Sequence, residues 1–239
     1  MDTILQGFIS AFKLIIALDP ELLKIIWLSI KVSGAALILA FLLGLPLGAL
    51  LALKRVPLRG LILSLINTGM GLPPVVVGLF VYLLLSRSGP LGFMELLYTP
   101  GAMIIAQFIL VFPIVTSLSH TAIVNVNPVI RQAAQVLGAN PLQEALTVIR
   151  EARYGIMTGG IAGLGRVTAE VGAVIMVGGN IAGYTRVMTT TIALETDKGN
   201  FDLAIALGVI LLGLSLLINL VFRALQRLGR TGSGVVLWD

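Results

Sequence analysis

Arg166 and Glu170 stand four residues apart inside the apolar stretch 155–178. On one continuous helix that spacing puts them on the same face, where they can pair. Ionisable groups at such depth are costly and face a bundle interior or a wet cavity. Two roles fit. One is a structural ion pair that locks the helix against its neighbours. The other is the lining of a solute path, and a closed pair is compatible with it. The stretch Val177–Thr191 follows at once and is polar and glycine-rich. Asn180, Thr185, Arg186, Thr189 and Thr190 supply its polar side chains, which either face a solute or cap an outer turn.

Other chemistries lack their residues. There is no cysteine, hence no thiolate metal site and no disulfide framework. A single histidine, His120, builds no metal site and reads as a satisfied interfacial side chain. The pattern GxxxxGK[ST] of a phosphate-binding loop is absent, and Gly69, Gly71, Gly163 and Gly165 lie within apolar stretches, where they serve helix packing. Neither ATP nor another cofactor is expected on this chain. If ATP drives it, ATP and Mg sit on a partner subunit.

The elements that position these residues are membrane helices. Of 239 residues, 57% are hydrophobic and 11% charged, too apolar for a soluble domain. Five stretches have the length of a span, about 25–53, 61–85, 101–124, 155–178 and 203–225. Gly44, Pro46 and Gly48 in the first, and Gly69, Gly71, Pro73, Pro74 and Gly78 in the second, predict close packing and kinks. The expected fold is an all-α membrane bundle of five helices over 21–228, an N-terminal interfacial amphipathic helix over 1–20 and a tail over 229–239.

Charge gives the orientation. Lys54, Arg55, Arg59, Arg131, Arg150, Arg153, Arg223, Arg227 and Arg230 fall on one side with few acids, and the other side mixes its bases with six acids. The positive-inside rule then puts residues 125–154 and the C-terminus in the cytoplasm and the N-terminus outside. The net charge of +5 thus tracks topology, and nucleic-acid binding is not read from it.

Within 125–154 the start and stop signals repeat. Asn127-Pro128 begins a helix that Gly138 ends, and Asn140-Pro141 begins another, with Gln143 placed for a capping box. Helix, glycine corner and helix make a rigid knuckle that a partner can push.

Gln132-Ala133-Ala134, Gly138 and Val148 fall on positions of the EAA loop, so the segment resembles that loop of ABC-importer permeases. Gln132 replaces the family's acid, and Arg150-Glu151 replace a frequent Leu-Pro. Leu72–Gly78 looks like the second core helix of molybdate-type permeases. Gly179-Asn180-Ile181 with Thr185-Arg186 resembles the outer loop of oxyanion permeases, closest to those for tungstate, with Ala182-Gly183-Tyr184 where molybdate permeases usually carry Pro-Gly-Glu.

The resemblance implies a type I ABC-importer permease in the cell membrane, a homodimer among membrane lipid, served by cytoplasmic ATPase subunits and an extracytoplasmic solute-binding protein. It implies coupling through Gln132, Ala133, Ala134, Gly138, Ala139, Asn140 and Val148, and a path or gate at Arg166, Glu170, Asn180, Thr185, Arg186, Thr189 and Thr190. Molybdate, sulfate or another oxyanion remains an alternative solute. An ion-driven secondary transporter would show internal repeats and buried coupling-ion ligands, and neither is found.

Overall fold

The computed structural model describes residues 20–231, with side chains through residue 224. The expected interfacial helix over 1–20 lies outside the described residues but for Pro20, and so does the tail from residue 232. All regular structure among the described residues is helical.

The first helix, α1 (Pro20–Leu53), is followed by α2 (Arg59–Met70), α3 (Pro74–Leu85) and a 3-10 turn at Gly92–Met94. Next come α4 (Pro100–Val124), the short pair α5 (Pro128–Val136) and α6 (Pro141–Glu151), then α7 (Arg153–Thr168) and α8 (Gly172–Gly178). The chain closes with α9 (Met188–Asp197) and α10 (Phe201–Thr231). The helix α10 therefore runs three residues into the expected tail, 229–239.

Three helices, α1, α4 and α10, are long and apolar enough to cross a membrane, and the count reaches five if each of two bent pairs is one span. Two of the five expected spans are bent, the first at the prolines where the sequence predicts a kink. Residues 61–85 divide between α2 and α3 at 103°, and 155–178 divide between α7 and α8 at 56°. The first has a plain cause: Gly71 loosens the chain, while Pro73 and Pro74 bring no N–H to continue the ladder, so Pro74 restarts a helix at its first position. At the second, side chains compete with the backbone ladder. The Thr168 hydroxyl turns back to Leu164 O (2.9 Å), and the Glu170 carboxylate takes the N–H of Ala173 (2.9 Å).

The helix α4 is the mast of the bundle, in contact with α1, α2, α3, α7 and α8. Glycines let α1 approach it: a Cβ on Gly44 would stand 2.7 Å from Thr116 Oγ1, and one on Gly48 2.7 Å from Thr116 O. Three apolar clusters fill the interior. Met103, Ala106, Val174 and Val177 centre the first, Val111, Val115 and Val167 the second, and Ala49, Ile123, Val148 and Ile156 the third. The third ties the short helix α6 to the long ones.

Candidate coupling knuckle and translocation path

The knuckle forms as its capping residues dictate. The Asn127 side chain accepts from Val129 N (3.0 Å) to start α5. At its end Gly138 takes φ 79°, Gly138 N donates to Gln135 O and Ala139 N to Ala134 O, each at 3.0 Å. That is a Schellman stop. Asn140 then accepts from Gln143 N (2.9 Å) while Gln143 Oε1 accepts from Asn140 N (2.9 Å), closing the capping box.

A three-way clasp, missed at the level of sequence, holds α5 against α6. Arg131 Nε donates to Glu144 Oε1, and Gln135 Nε2 donates to Glu144 Oε2 at 2.9 Å. Arg131 and Gln135 are one turn apart on α5, so a single carboxylate is gripped from two places. Those donors, Gln135 first and Arg131 second, hold the Glu144 carboxyl below the usual carboxylate range. Arg131 Nη2 also reaches Leu53 O at the end of α1 (3.4 Å). The visible signal is a basic residue and a glutamine spaced i, i+4 ahead of an acid in the first turn of the next helix.

The knuckle has two unlike faces. Ala134 and Val148 are buried inward, whereas Gln132, Ala133, Gly138 and Asn140 are exposed and Ala139 is half-buried. On the outer face Val136 is 87% exposed and Leu137 86%, with Val129, Leu142 and Leu146 exposed beside them. So many exposed apolar side chains on two short helices mark an interaction surface.

Within the membrane part the expected ion pair is absent. Because α7 stops at Thr168, Arg166 and Glu170 are not on one helix and form no salt bridge. Each repairs a helix break instead. Arg166 Nη2 donates to Leu72 O (3.2 Å), the carbonyl stranded at the α2–α3 bend. Glu170, 4% exposed, caps Ala173 N at the start of α8, and Gln107 Nε2 donates to Val167 O (3.1 Å) at the end of α7. Broken backbone in an apolar medium needs such partners.

The outer loop spends most of its polar groups on itself. The Thr185 hydroxyl donates to Gly178 O and accepts from Ile181 N. Asn180, at φ 48°, donates to Thr190 O (3.4 Å). Thr190 Oγ1 accepts from Val187 N (3.1 Å), and Thr189 donates to Glu170 O (2.9 Å). These threonines fasten the loop. Arg186 differs: Nη2 reaches Asn180 O only at 3.5 Å, and its buried Nε has no partner. Arg186 also lines an open cavity of about 730 Å³ with Thr191, Glu195 and Leu207. Glu195 is held below the usual carboxylate range by Lys198 first and Asn200 second. A second cavity, about 600 Å³, opens among α1, α4, α7, α9 and α10, with Ser29, Ser33, Gln107, Thr168 and Thr189 as its polar lining. The serines and Gln107 were not singled out in the sequence, since isolated polar residues in apolar runs carry no spacing signal.

The fold is shared with solved transporters. The chain superposes with TM-score 0.70 on a subunit of the MetNI methionine ABC transporter in an inward-facing conformation, covering 88% of this chain and 97% of that one at 18% identity. It superposes equally, TM-score 0.70 at 22% identity, on a bacterial ABC transporter involved in alginate import, covering 92% of this chain and 82% of that one.

Sequence relatives reach further. The chain is 42% identical, over 95% of its length and 99% of the relative, to the tungstate uptake system permease protein of Peptoclostridium acidaminophilum. It is 47% identical over 89% of its length to a probable anion ABC transporter permease protein of Haloferax volcanii, covering 95% of that protein. The molybdenum transport system permease protein of Escherichia coli is more distant, at 31% over 90% of this chain and 98% of its own. Residues 44–230 match the binding-protein-dependent transport system inner membrane component, and this multi-pass membrane chain belongs to that family.

Proposed function

We propose that the chain is the permease subunit of an ATP-driven oxyanion importer, with tungstate as the solute. It works as a homodimer by alternating access, with ATP and Mg on separate cytoplasmic ATPase subunits and an extracytoplasmic binding protein that delivers the ion. The knuckle faces the cytoplasm with the C-terminus, and the N-terminus lies outside. The observation that carries the solute is the 42% identity, over nearly the whole chain, to a tungstate uptake permease, set against 31% for a molybdenum permease. The anion permease at 47% supports the broader class.

The geometry is consistent with a weakly binding path. A dehydrated dianion needs a wet route through hydrocarbon. Arg166 gives its Nη2 to Leu72 O and the loop threonines are spent on backbone, so among the described residues no ring of free cations stands ready to trap the ion. Selectivity then rests on the binding protein. Arg186, with its spare donors on an open cavity, is the candidate for first contact.

The deciding experiment identifies the partner binding protein and measures its affinity for tungstate, molybdate and sulfate beside uptake by the reconstituted complex. Preference for molybdate or sulfate in both measurements replaces tungstate by that ion. Absence of a copurifying ATPase returns the chain to the secondary-transporter reading. Orientation is tested on the cysteine-free chain: Asn200→Cys should react with an impermeant thiol reagent in intact cells, and Ser233→Cys should be shielded.

A further inference from the structure

We infer that Arg166 is a positioning residue that carries movement of the knuckle to the bend between α2 and α3. This rests on the importer reading above, because a pushed knuckle presupposes an ATPase. The route starts at Ala152, the single residue between α6 and α7, which keeps helical backbone angles (φ −70°, ψ −5°) and is buried. Val148 before it and Ile156 after it sit in one cluster with Ala49 and Ile123. A shift of α6 therefore drags the base of α7. The helix has 16 residues, a rod of about 24 Å at 1.5 Å per residue.

At the far end of that rod Arg166 holds Leu72 O at 3.2 Å. Leu72 lies in the bend, and Val76 N and Val77 N both turn to Pro73 O, leaving the Leu72 carbonyl to the guanidinium. The bond is charge-assisted. The Arg166 Nε is buried with no partner, so no second acceptor competes for the group.

Beyond the bend, α3 is fixed to α8. A Cβ on Gly78 would stand 2.8 Å from Ala173 Cα, and one on Gly172 3.1 Å from Val75 Cγ2. The start of α8 is in turn tied by Glu170 to Ala173 N, and Thr189 holds Glu170 O. The Arg166 bond and the close α3–α8 contact thus join the end of α7 to α3 and α8, and α2 lies across the 103° bend from them. Moving α7 changes the α2–α3 angle through Arg166.

The test uses the complex with its ATPase and binding protein, reconstituted in lipid with one spin-labelled protomer per dimer. Labels go on exposed Leu65 of α2, Leu83 of α3 and Ala162 of α7. Without any Arg166 variant, the 65–83 distance should change between nucleotide-free and ATP-trapped states while the 83–162 distance stays constant. A constant 65–83 distance, or a changing 83–162 distance, overturns the inference. In Arg166→Met the nucleotide-dependent change at 65–83 should vanish, and Arg166→Lys, which keeps a cationic donor, should recover at least half of it. A full wild-type change in an assembled Arg166→Met complex also overturns the inference. Failure of the ATPase to bind the wild-type chain would instead strike the importer reading itself.

Discussion

The knuckle and the outer loop are built from similar material and finish differently. Both are turns with a positive-φ glycine, Gly138 in one and Gly179 and Gly183 in the other, and both are capped by Asn or Thr side chains. In the outer loop the threonines close on backbone, with Thr185 and Thr190 buried, while Arg186 keeps a buried Nε without a partner. In the knuckle the caps close too, but a face with Val136 and Leu137 is left in water. A turn whose threonines are spent on backbone holds a scaffold, whereas a rigid turn whose apolar side chains stand almost fully exposed, beyond the half-exposed Ile181 and Tyr184 of the outer loop, suits another molecule. Under the proposed importer function, the difference separates where this chain keeps its shape from where it receives force.

The largest predicted effect breaks the knuckle's inner face. Val148 is 3% exposed among Ala49, Ile123 and Ile156. Val148→Asp buries a lone carboxylate, and an uncompensated buried charge costs about 3–5 kcal/mol. Folded protein recovered in detergent should fall sharply. The outer face should respond oppositely. Val136→Asp, at 87% exposure, should leave yield and thermal midpoint at wild type while weakening ATPase binding by about tenfold or more. Equal ATPase binding by Val136→Asp and wild type would deny that this face is the contact.

The next effect is at the corner. No atom stands within 4 Å of a Cβ built on Gly138, so Gly138→Val acts through its φ of +79° alone. A left-handed conformation costs a non-glycine residue roughly 1–2 kcal/mol. ATP hydrolysis stimulated by the binding protein should drop, with membrane insertion normal and Gly138→Asn milder. In the outer loop, Thr185→Val keeps the shape but strands Ile181 N. That costs about 1–3 kcal/mol and should lower the thermal midpoint without touching ATPase binding. If Thr185→Val loses ATPase binding while Gly138→Val keeps it, the division of labour between the two turns is reversed.

How far the sequence reveals these regions follows the same division. The knuckle was legible because capping is local: Asn127, Gly138, Asn140 and Gln143 act on neighbours within five residues. The clasp through Glu144 escaped because its partners come from a different helix. In the apolar stretches the prolines at 73 and 74 announced a kink but not one of 103°. Arg166 and Glu170 looked like a pair because their spacing assumed a helix that ends at Thr168. The break comes from local bonds, Thr168 turning back to Leu164 O and Glu170 capping Ala173 at the start of α8, that carry no glycine or proline signal between them, and the partner of Arg166 lies 94 residues away. Long-range satisfaction of broken backbone has no periodicity to read.

The smallest effect concerns the clasp and its dependence on pH. Glu144 is a carboxylate whose pKa in the folded chain is lowered by Gln135 and Arg131. Its contribution is therefore present above the ordinary carboxyl value of 4.5 and is lost as pH falls through the lower folded value. Between neutral pH and about 5 the charge on Glu144 should not change, so ATPase association across that range should owe nothing to it. Below that value the proton removes an acceptor from Arg131 Nε or Gln135 Nε2, and α5 loosens from α6 while the inner face at Val148 stays packed. Glu144→Gln mimics the neutral form: its amide oxygen still accepts one bond, but its NH2 faces a donor. At neutral pH this variant should bind the ATPase slightly less well than wild type, with a flat response as pH is lowered. A variant as acid-sensitive as wild type would place the titrating group elsewhere, and the knuckle's rigidity would then rest on its caps alone.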